Sequence, residues 1–370
     1  MENSRLYKTF SKLVSIDSPS FGERTVCDWL KNELIGLGFD IFEDETAEKI
    51  GGSTGNLYGF LKGDPTLEPI LLCAHMDTVE PSCGKECVLD DGGVITSKTD
   101  TVLGADDFAG VAEILEVLYK LEEKGKKHRP IEILFTAAEE AYGAGASHFD
   151  TSILKSKQAF VFDLAGEIGY AANKAPSVIT FEVVFFGKAA HAGFAFKEGI
   201  HAVRAASAAV LAIPMGQIDH ETTCNVGKIE GGGATNIIPD KCIVTGEIRS
   251  FSHEKALYWV EEIKNKIQSA VDELDKNIKF EFTFKEHIKA YETPEDSPAS
   301  LRFKKACKEL SLQGKLVKTF GGSDNNHLVN NAGIDGIVVA NAMYDCHSIR
   351  EYTRLQDMEK VTQLIMLLCE

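Results

Sequence analysis

Short apolar runs alternate with amphipathic helical stretches through most of this chain, and that alternation leaves few architectures open. Ile70-Leu71-Leu72-Cys73 is apolar without a break, as expected of a strand covered on both faces. Further strands are expected at 56–60, 131–136, 159–162 and 336–340. Between them, 107–123 carries Val111, Ile114, Leu115, Leu118 and Leu121 at helical spacing. Residues 5–37 read as helix, broken by the turn-forming Ser18-Pro19-Ser20-Phe21-Gly22. The pattern predicts an α/β domain with a mixed sheet and helices on both sides.

The character changes near residue 176. Strands at 178–186, 222–229, 242–249 and 278–284 and helices at 199–213 and 253–274 follow the order β-α-β-β-α-β. This is the plan of a small ferredoxin-like α+β domain. The expected organisation is an α/β domain of residues 1–175 and 287–370, with an α+β lid or dimerisation domain inserted over 176–286.

Composition removes several classes of function. The 370 residues carry a net charge of −17, which argues against nucleic acid and against anionic membrane surfaces. The short basic stretch at 124–129 reads as a solvated helix end. No segment is apolar for long enough to span a bilayer, and the amino terminus lacks a signal-peptide core. Nine cysteines, an odd number with several inside apolar runs, indicate reduced thiols and a cytoplasmic location. Cys83 and Cys87 have no second pair at zinc-finger spacing and read as loop cysteines.

Acidic residues and histidines fall just beyond the apolar strands. His75-Met76-Asp77 follows 70–73, Glu139-Glu140 follows 131–136, Asp163 follows 159–162, and His347 lies a short loop beyond 336–340. Asp106-Asp107 opens the helix after Leu103-Gly104-Ala105. In an open α/β sheet, sites form beyond the carboxyl ends of the strands, so these segments can converge on one rim. Carboxylates mixed with imidazoles suit zinc, with cobalt or manganese as substitutes. Two ions about 3.5–4 Å apart need a carboxylate reaching both, and Asp106 is placed for that. Of the adjacent Glu139 and Glu140, one can ligate while the other takes a proton from water. Asp77 can orient the His75 imidazole.

At these residues the chain resembles the zinc-dependent exopeptidases that include peptidase T, glutamate carboxypeptidase and aminoacylase. The likeness is carried by Ala74-His75-Met76-Asp77-Thr78-Val79, Leu103-Gly104-Ala105-Asp106-Asp107 and Thr136-Ala137-Ala138-Glu139-Glu140. Asp100-Thr101 and Ile218-Asp219 with Glu221-Thr222-Thr223 point to the peptidase-T-like branch. The resemblance implies two divalent ions per chain: His75 and Asp163 on one, Glu140 and His347 on the other, and Asp106 between them. It implies Glu139 as general base, Asp77 as orienter of His75, and His191, in Gly187-Lys188-Ala189-Ala190-His191-Ala192-Gly193, as oxyanion stabiliser. Asn236, Arg249 and the loop Gly321-Gly322-Ser323 match substrate-binding positions. His201, His220 and His327 are expected to be structural. The sequence departs from its relatives at Phe108, where they commonly carry Lys, and at Ala141-Tyr142-Gly143.

The expected activity is cleavage of an amide bond in small peptides by a tripeptide aminopeptidase, with a homodimer formed through the inserted domain. A dipeptidase, a carboxypeptidase or an N-acyl-amino-acid deacylase would use the same site. A catalytically silent metal-binding protein is the alternative from another class. A nucleotide site is disfavoured, since Gly231-Gly232-Gly233 lacks the rest of any phosphate motif.

Overall fold

The computed structural model describes residues 2–125 and 127–370; Lys126, in the short basic stretch, and Met1 lie outside the described residues. The chain divides into two compact units, one of Met1–Lys174 with Glu292–Glu370 and one of Ala175–Tyr291.

The larger unit is built on a nine-stranded mixed sheet. Its centre is parallel: Ile131–Thr136, Ile70–His75, Gln158–Leu164 and Asp335–Ala340 lie side by side in that order. These strands are buried on both faces, which is why their sequences are apolar rather than alternating. Ile70, Leu72 and Ala74 face one core with the helices Arg5–Val14, Arg24–Gly36, Ala105–Lys124 and Leu355–Cys369. Leu71 and Cys73 point the other way, into a smaller core with Leu134, Val161, Leu328 and Val338. The helix Ala105–Lys124 approaches the sheet closely at Gly110, where a Cβ would stand 2.7 Å from the Phe162 carbonyl oxygen. A side chain there would push the helix off the strand that carries Asp163.

The smaller unit is a five-stranded antiparallel sheet ordered Gly216–Gln217, Thr222–Gly231, Lys241–Ser250, Ser177–Phe186 and Lys279–Ile288. Strand Ser177–Phe186 alternates from Ile179 onward, sending Ile179, Phe181, Val183 and Phe185 into a core with the helices Ala202–Ala212 and His253–Leu274. The two long helices, Ala202–Ala212 and His253–Leu274, fall between the strands as the β-α-β-β-α-β pattern predicts; the two-residue strand at Gly216–Gln217 is an addition too short to leave a periodic signal. The α/β fold with a separate α+β unit agrees with the sequence expectation.

All nine cysteines are free thiols. Among the described residues, no helix is long and apolar enough to cross a membrane.

Candidate metal centre

The parallel strands deliver their chemistry at one edge. His75 ends its strand, Asp163 is the next-to-last residue of Gln158–Leu164, and Glu139 and Glu140 follow Thr136 by a tight turn. That turn is closed by Gly143 N–H to the Glu139 carbonyl at 2.6 Å and Ala144 N–H to the Ala138 carbonyl at 3.0 Å. Asp106 and Asp107 sit at the start of Ala105–Lys124 with non-helical dihedrals, so the regular helix begins only at Phe108. The peptide joining the two aspartates is cis.

Five of the residues expected at the site come together with one ligand atom each within 4.8 Å, in overlapping sets: His75, Asp106 and Asp163, then Asp106, Glu140 and His347. His75 with Glu139 and Glu140 forms a third. Asp106 belongs to both principal sets. Its Oδ1 is 3.0 Å from His75 Nε2 and its Oδ2 is 3.2 Å from His347 Nε2. Asp163 Oδ1 is 4.0 Å from the same His75 nitrogen. His75 Nδ1 faces the Asp77 carbonyl at 2.9 Å and the Asp77 carboxylate at 3.4 Å, which leaves Nε2 directed at the cluster.

Charge in this cluster is unbalanced. Burial pushes Asp163 well above the usual carboxylate range, and repulsion from Asp106 adds to it. Burial does the same to Glu139, with Asp163 next in effect, and raises Glu140 less strongly. Asp106 goes the other way: burial opposes ionisation, but contacts with His347 and His75 hold it below the usual range. The Asp106 carboxylate, 3.2 Å from its Nε2, and then that of Glu140 push His347 up to about 10. Burial and mutual repulsion raise most of these acids while the carboxylates raise His347, the directions expected of a site short of positive charge.

The donor set fits a divalent cation. His347 Nε2 lies 3.1 Å from Glu140 Oε1 without the alignment of a hydrogen bond, so this buried oxygen has no hydrogen-bond partner. Three carboxylates and two imidazole nitrogens, with an acceptor left bare, match zinc or a similar ion better than they match one another.

Several buried polar groups fix this cluster from behind: Asp77, expected from the sequence as the orienter of His75, and Glu23, Asn341 and Glu351, which no sequence motif marks. The Asp77 carboxylate accepts from Glu139 N–H at 2.9 Å, Glu140 N–H at 3.2 Å and Ser20 Oγ at 2.7 Å, so it positions the glutamate pair as well as His75. Glu23 accepts from Phe21 N–H and Ala138 N–H, and burial followed by repulsion from Asp77 pushes it up to about 7. Asp107 accepts from His75 N–H at 3.0 Å and Asn341 Nδ2 at 2.6 Å. Glu351 accepts from Gly104 N–H and Asp106 N–H. Glu23, Asn341 and Glu351 each meet a partner more than a hundred residues away, so no local spacing marks them.

The remaining expected residues fall in two places. Gly321 and Ser323 lie in the turn before the helix Asp324–Ala332; Gly321 N–H donates to Thr319 Oγ1 and Ser323 N–H to Asn326 Oδ1. Gly322 lies between them, and Asp324 accepts from Thr136 Oγ1, which brings this loop to the rim that carries Glu139. His327 packs against Gly143, where a Cβ would stand 2.8 Å from its ring. Phe108 is fully buried, with the Lys85 ammonium 5.7 Å from its ring centre. His191, Asn236 and Arg249 belong to the smaller unit. Exposed His191 bridges to Ile237, and Ala192 N–H donates to the Asn236 carbonyl at 2.9 Å, so His191 and Asn236 share one short ladder. Arg249 pairs with Glu247 through two nitrogens, at 2.8 and 3.2 Å. His201 accepts from Arg204 N–H and caps a helix, a structural role.

A carboxylate–imidazole cluster of this kind, at the carboxyl edge of a parallel α/β sheet with a spare buried glutamate, defines a metal-dependent hydrolase. Comparison with known proteins narrows the class. Residues 174–279 match the family described as Peptidase dimerisation domain, and residues 56–212 match Peptidase family M28. The chain is 32% identical to the uncharacterized protein YqjE of Bacillus subtilis (strain 168), over 100% of this chain and 99% of that protein. It superposes on a tripeptidase from Staphylococcus aureus with a TM-score of 0.94 and 30% identity, covering 99% of this chain and 97% of that one. Against aminopeptidase PepT from Bacillus cereus the TM-score is 0.89, with 30% identity and the same coverage of both chains. The chain belongs to the peptidase-T-like metallopeptidases.

Proposed function

We propose that the protein is a two-metal aminopeptidase that removes the N-terminal residue from small peptides, tripeptides above all. The observation that carries this reading is the pair of overlapping ligand sets sharing Asp106, with Glu139 beside them and bound to neither of the two principal sets. His75 and Asp163 would hold one ion, Glu140 and His347 the other, and Asp106 both. Zinc is the first candidate, with cobalt or manganese as substitutes. When bound, such ions supply Lewis-acid activation of water and of the scissile carbonyl.

The chain's own groups do the rest. Glu139, buried and held in place by its backbone bond to Asp77, takes the proton of the attacking water and later returns it to the leaving amine. His191 supplies a hydrogen bond to the oxyanion. Its Nδ1 accepts from Gly193 N–H at 3.1 Å, so a neutral ring carries its proton on Nε2, the form able to donate. Asn236 and Arg249 bind the substrate, the guanidinium suiting a peptide carboxylate, and the loop Gly321-Gly322-Ser323 lines the cleft with its backbone. The tripeptide preference is drawn from the Staphylococcus aureus tripeptidase, and cleavage at the amino end from the Bacillus cereus aminopeptidase. A homodimer through the smaller unit is proposed from the match to the Peptidase dimerisation domain. A cytoplasmic location accords with the nine free thiols.

The test is turnover of tripeptides with free or acetylated amino termini by metal-free protein and after adding zinc, cobalt or manganese. Metal-dependent release of the first residue from unblocked tripeptides is expected. Cleavage of acetylated substrates alone would replace the substrate class with N-acyl amino acids. Glu139→Gln is expected to retain both ions while turnover falls by roughly 10²–10⁴-fold; normal turnover in that variant would remove Glu139 as the base.

A further inference from the structure

The backbone carrying Asp106 is not held by its own helix. Asp106 and Asp107 have non-helical dihedrals, and the first N–H groups of any helix lack an intrahelical acceptor. Glu351, 245 residues further along the chain, supplies the missing acceptors: Oε1 takes Asp106 N–H at 2.9 Å and Oε2 takes Gly104 N–H at 2.7 Å. Glu351 is 2% exposed, so these bonds are made away from water, where they are strongest and their loss is most costly. Gly104 is fixed from the other side as well. Its φ is +79°, and a Cβ there would stand 3.1 Å from Thr78 Cγ2 and 3.3 Å from the Phe108 ring.

A counter-charge lies nearby. Lys85 is 3% exposed, packs its Cε 3.5 Å from that same point at Gly104, and donates to the Ser82 carbonyl at 2.9 Å. Burial pushes this amine down to about 8, opposed by the charges of Asp17, Cys83 and Glu80 and lastly by Glu351. Glu351 also belongs to the loop that bears His347, and its own N–H closes a turn on the Ser348 carbonyl at 3.1 Å. One carboxylate thus ties the His347 loop to the Asp106 loop.

We propose that Glu351 is a positioning residue for the shared carboxylate Asp106, and that it governs the Asp106–Glu140–His347 set more than the His75–Asp106–Asp163 set. Both sets use Asp106, but only the first also draws on the loop that Glu351 anchors. This rests on the reading of the cluster as a two-metal centre.

The test compares whole wild-type protein with Glu351→Gln, Glu351→Ala, His347→Ala and His75→Ala, each stripped of metal and titrated with cobalt(II) by calorimetry and visible absorption. Glutamine keeps the volume of Glu351 but turns an amide N–H₂ towards one of the two backbone donors. In Glu351→Gln, affinity at one site is expected to fall about 10–100-fold, the usual effect of losing an outer partner. The other site should change less than about threefold, and the altered absorption bands should match those of His347→Ala rather than His75→Ala. The metal-free variant should melt with the metal-free wild type. Glu351→Ala should show a larger loss in the same direction. Wild-type cobalt affinity and spectrum in Glu351→Gln would overturn the proposal, as would equal weakening at both sites accompanied by a lowered melting temperature. Failure of the wild type to bind cobalt would instead overturn the metal centre itself.

Discussion

At the scale of single residues, the cluster is held by acids that do not belong to it. Asp77 is the clearest, because its two oxygens accept from Ser20 and from the backbone of both Glu139 and Glu140. Burial opposes its ionisation, but the His75 contact leads the interactions that keep it charged, below the usual carboxylate range. Asp77→Asn keeps the shape but can place an N–H₂ group against backbone donors. Metal affinity is therefore expected to fall about 10–100-fold, with a drop in turnover at saturating metal because Glu139 is no longer held. Equilibrium dialysis and initial rates on the same preparation would check this; a loss of affinity with full turnover restored by excess zinc would leave Asp77 with His75 alone. His75, Asp106, Glu139, Glu140, Asp163 and His347 were legible as a group in the sequence because each follows an apolar strand or opens a helix. Glu23, Asn341 and Glu351 were not, and Asp107 was marked only as the neighbour of Asp106. Glu23 and Glu351 read as solvated surface until folding brings each under a backbone N–H more than a hundred residues away.

At the scale of elements, legibility followed length and burial. The strands Ile70–His75 and Gln158–Leu164 and the helix Ala105–Lys124 announce themselves through long apolar patterns, because both faces of a central strand and most of a central helix are covered. Cys87–Leu89, Val94–Ser97 and Lys315–Lys318 did not, being three or four residues long and half exposed. Short edges are held by what lies beside them, and Asp40–Glu43 illustrates how. Glu43 at its end pairs with Arg24 and Lys31 of the helix Arg24–Gly36 and accepts from Gly55 N–H at 3.0 Å. Burial opposes its ionisation, yet the Arg24 and Lys31 contacts hold its carboxyl below the ordinary value of 4.5. A depressed carboxylate contributes stability above its unfolded pKa and loses it as pH falls through the folded one. Glu43→Gln is therefore expected to lower the urea midpoint at pH about 7, and the gap to wild type should close progressively below about pH 4. A gap that stays constant with pH would assign the effect to packing instead of charge.

At the scale of the whole molecule, the site sets function against stability. The chain carries a net charge of −17, and in the metal-free state its densest buried acids are gathered at one rim. Asp163 bears much of that cost, since burial and then Asp106 raise its pKa well above the ordinary 3.8. For an acid with a raised folded pKa, the folded state binds the extra proton, so stability is lost as pH rises from the unfolded value through the folded one. Metal-free Asp163→Asn should therefore melt at or above the temperature of metal-free wild type at pH about 8, because it no longer has a charge to bury. Excess zinc reverses the order. An ion that binds only the folded state contributes about 2.7 kcal/mol at a hundred times its dissociation constant, and wild type gains this at both sites while the variant loses most of it at one. Calorimetric scans of both proteins in chelator and in excess zinc should cross: variant above wild type without metal, wild type above variant with it. If the variant melts lower in chelator, Asp163 is held by contacts unrelated to charge. If zinc raises both melting temperatures equally, Asp163 does not ligate. The crossing itself would mean that the strain of packing carboxylates together is what the protein tolerates in order to bind its ions.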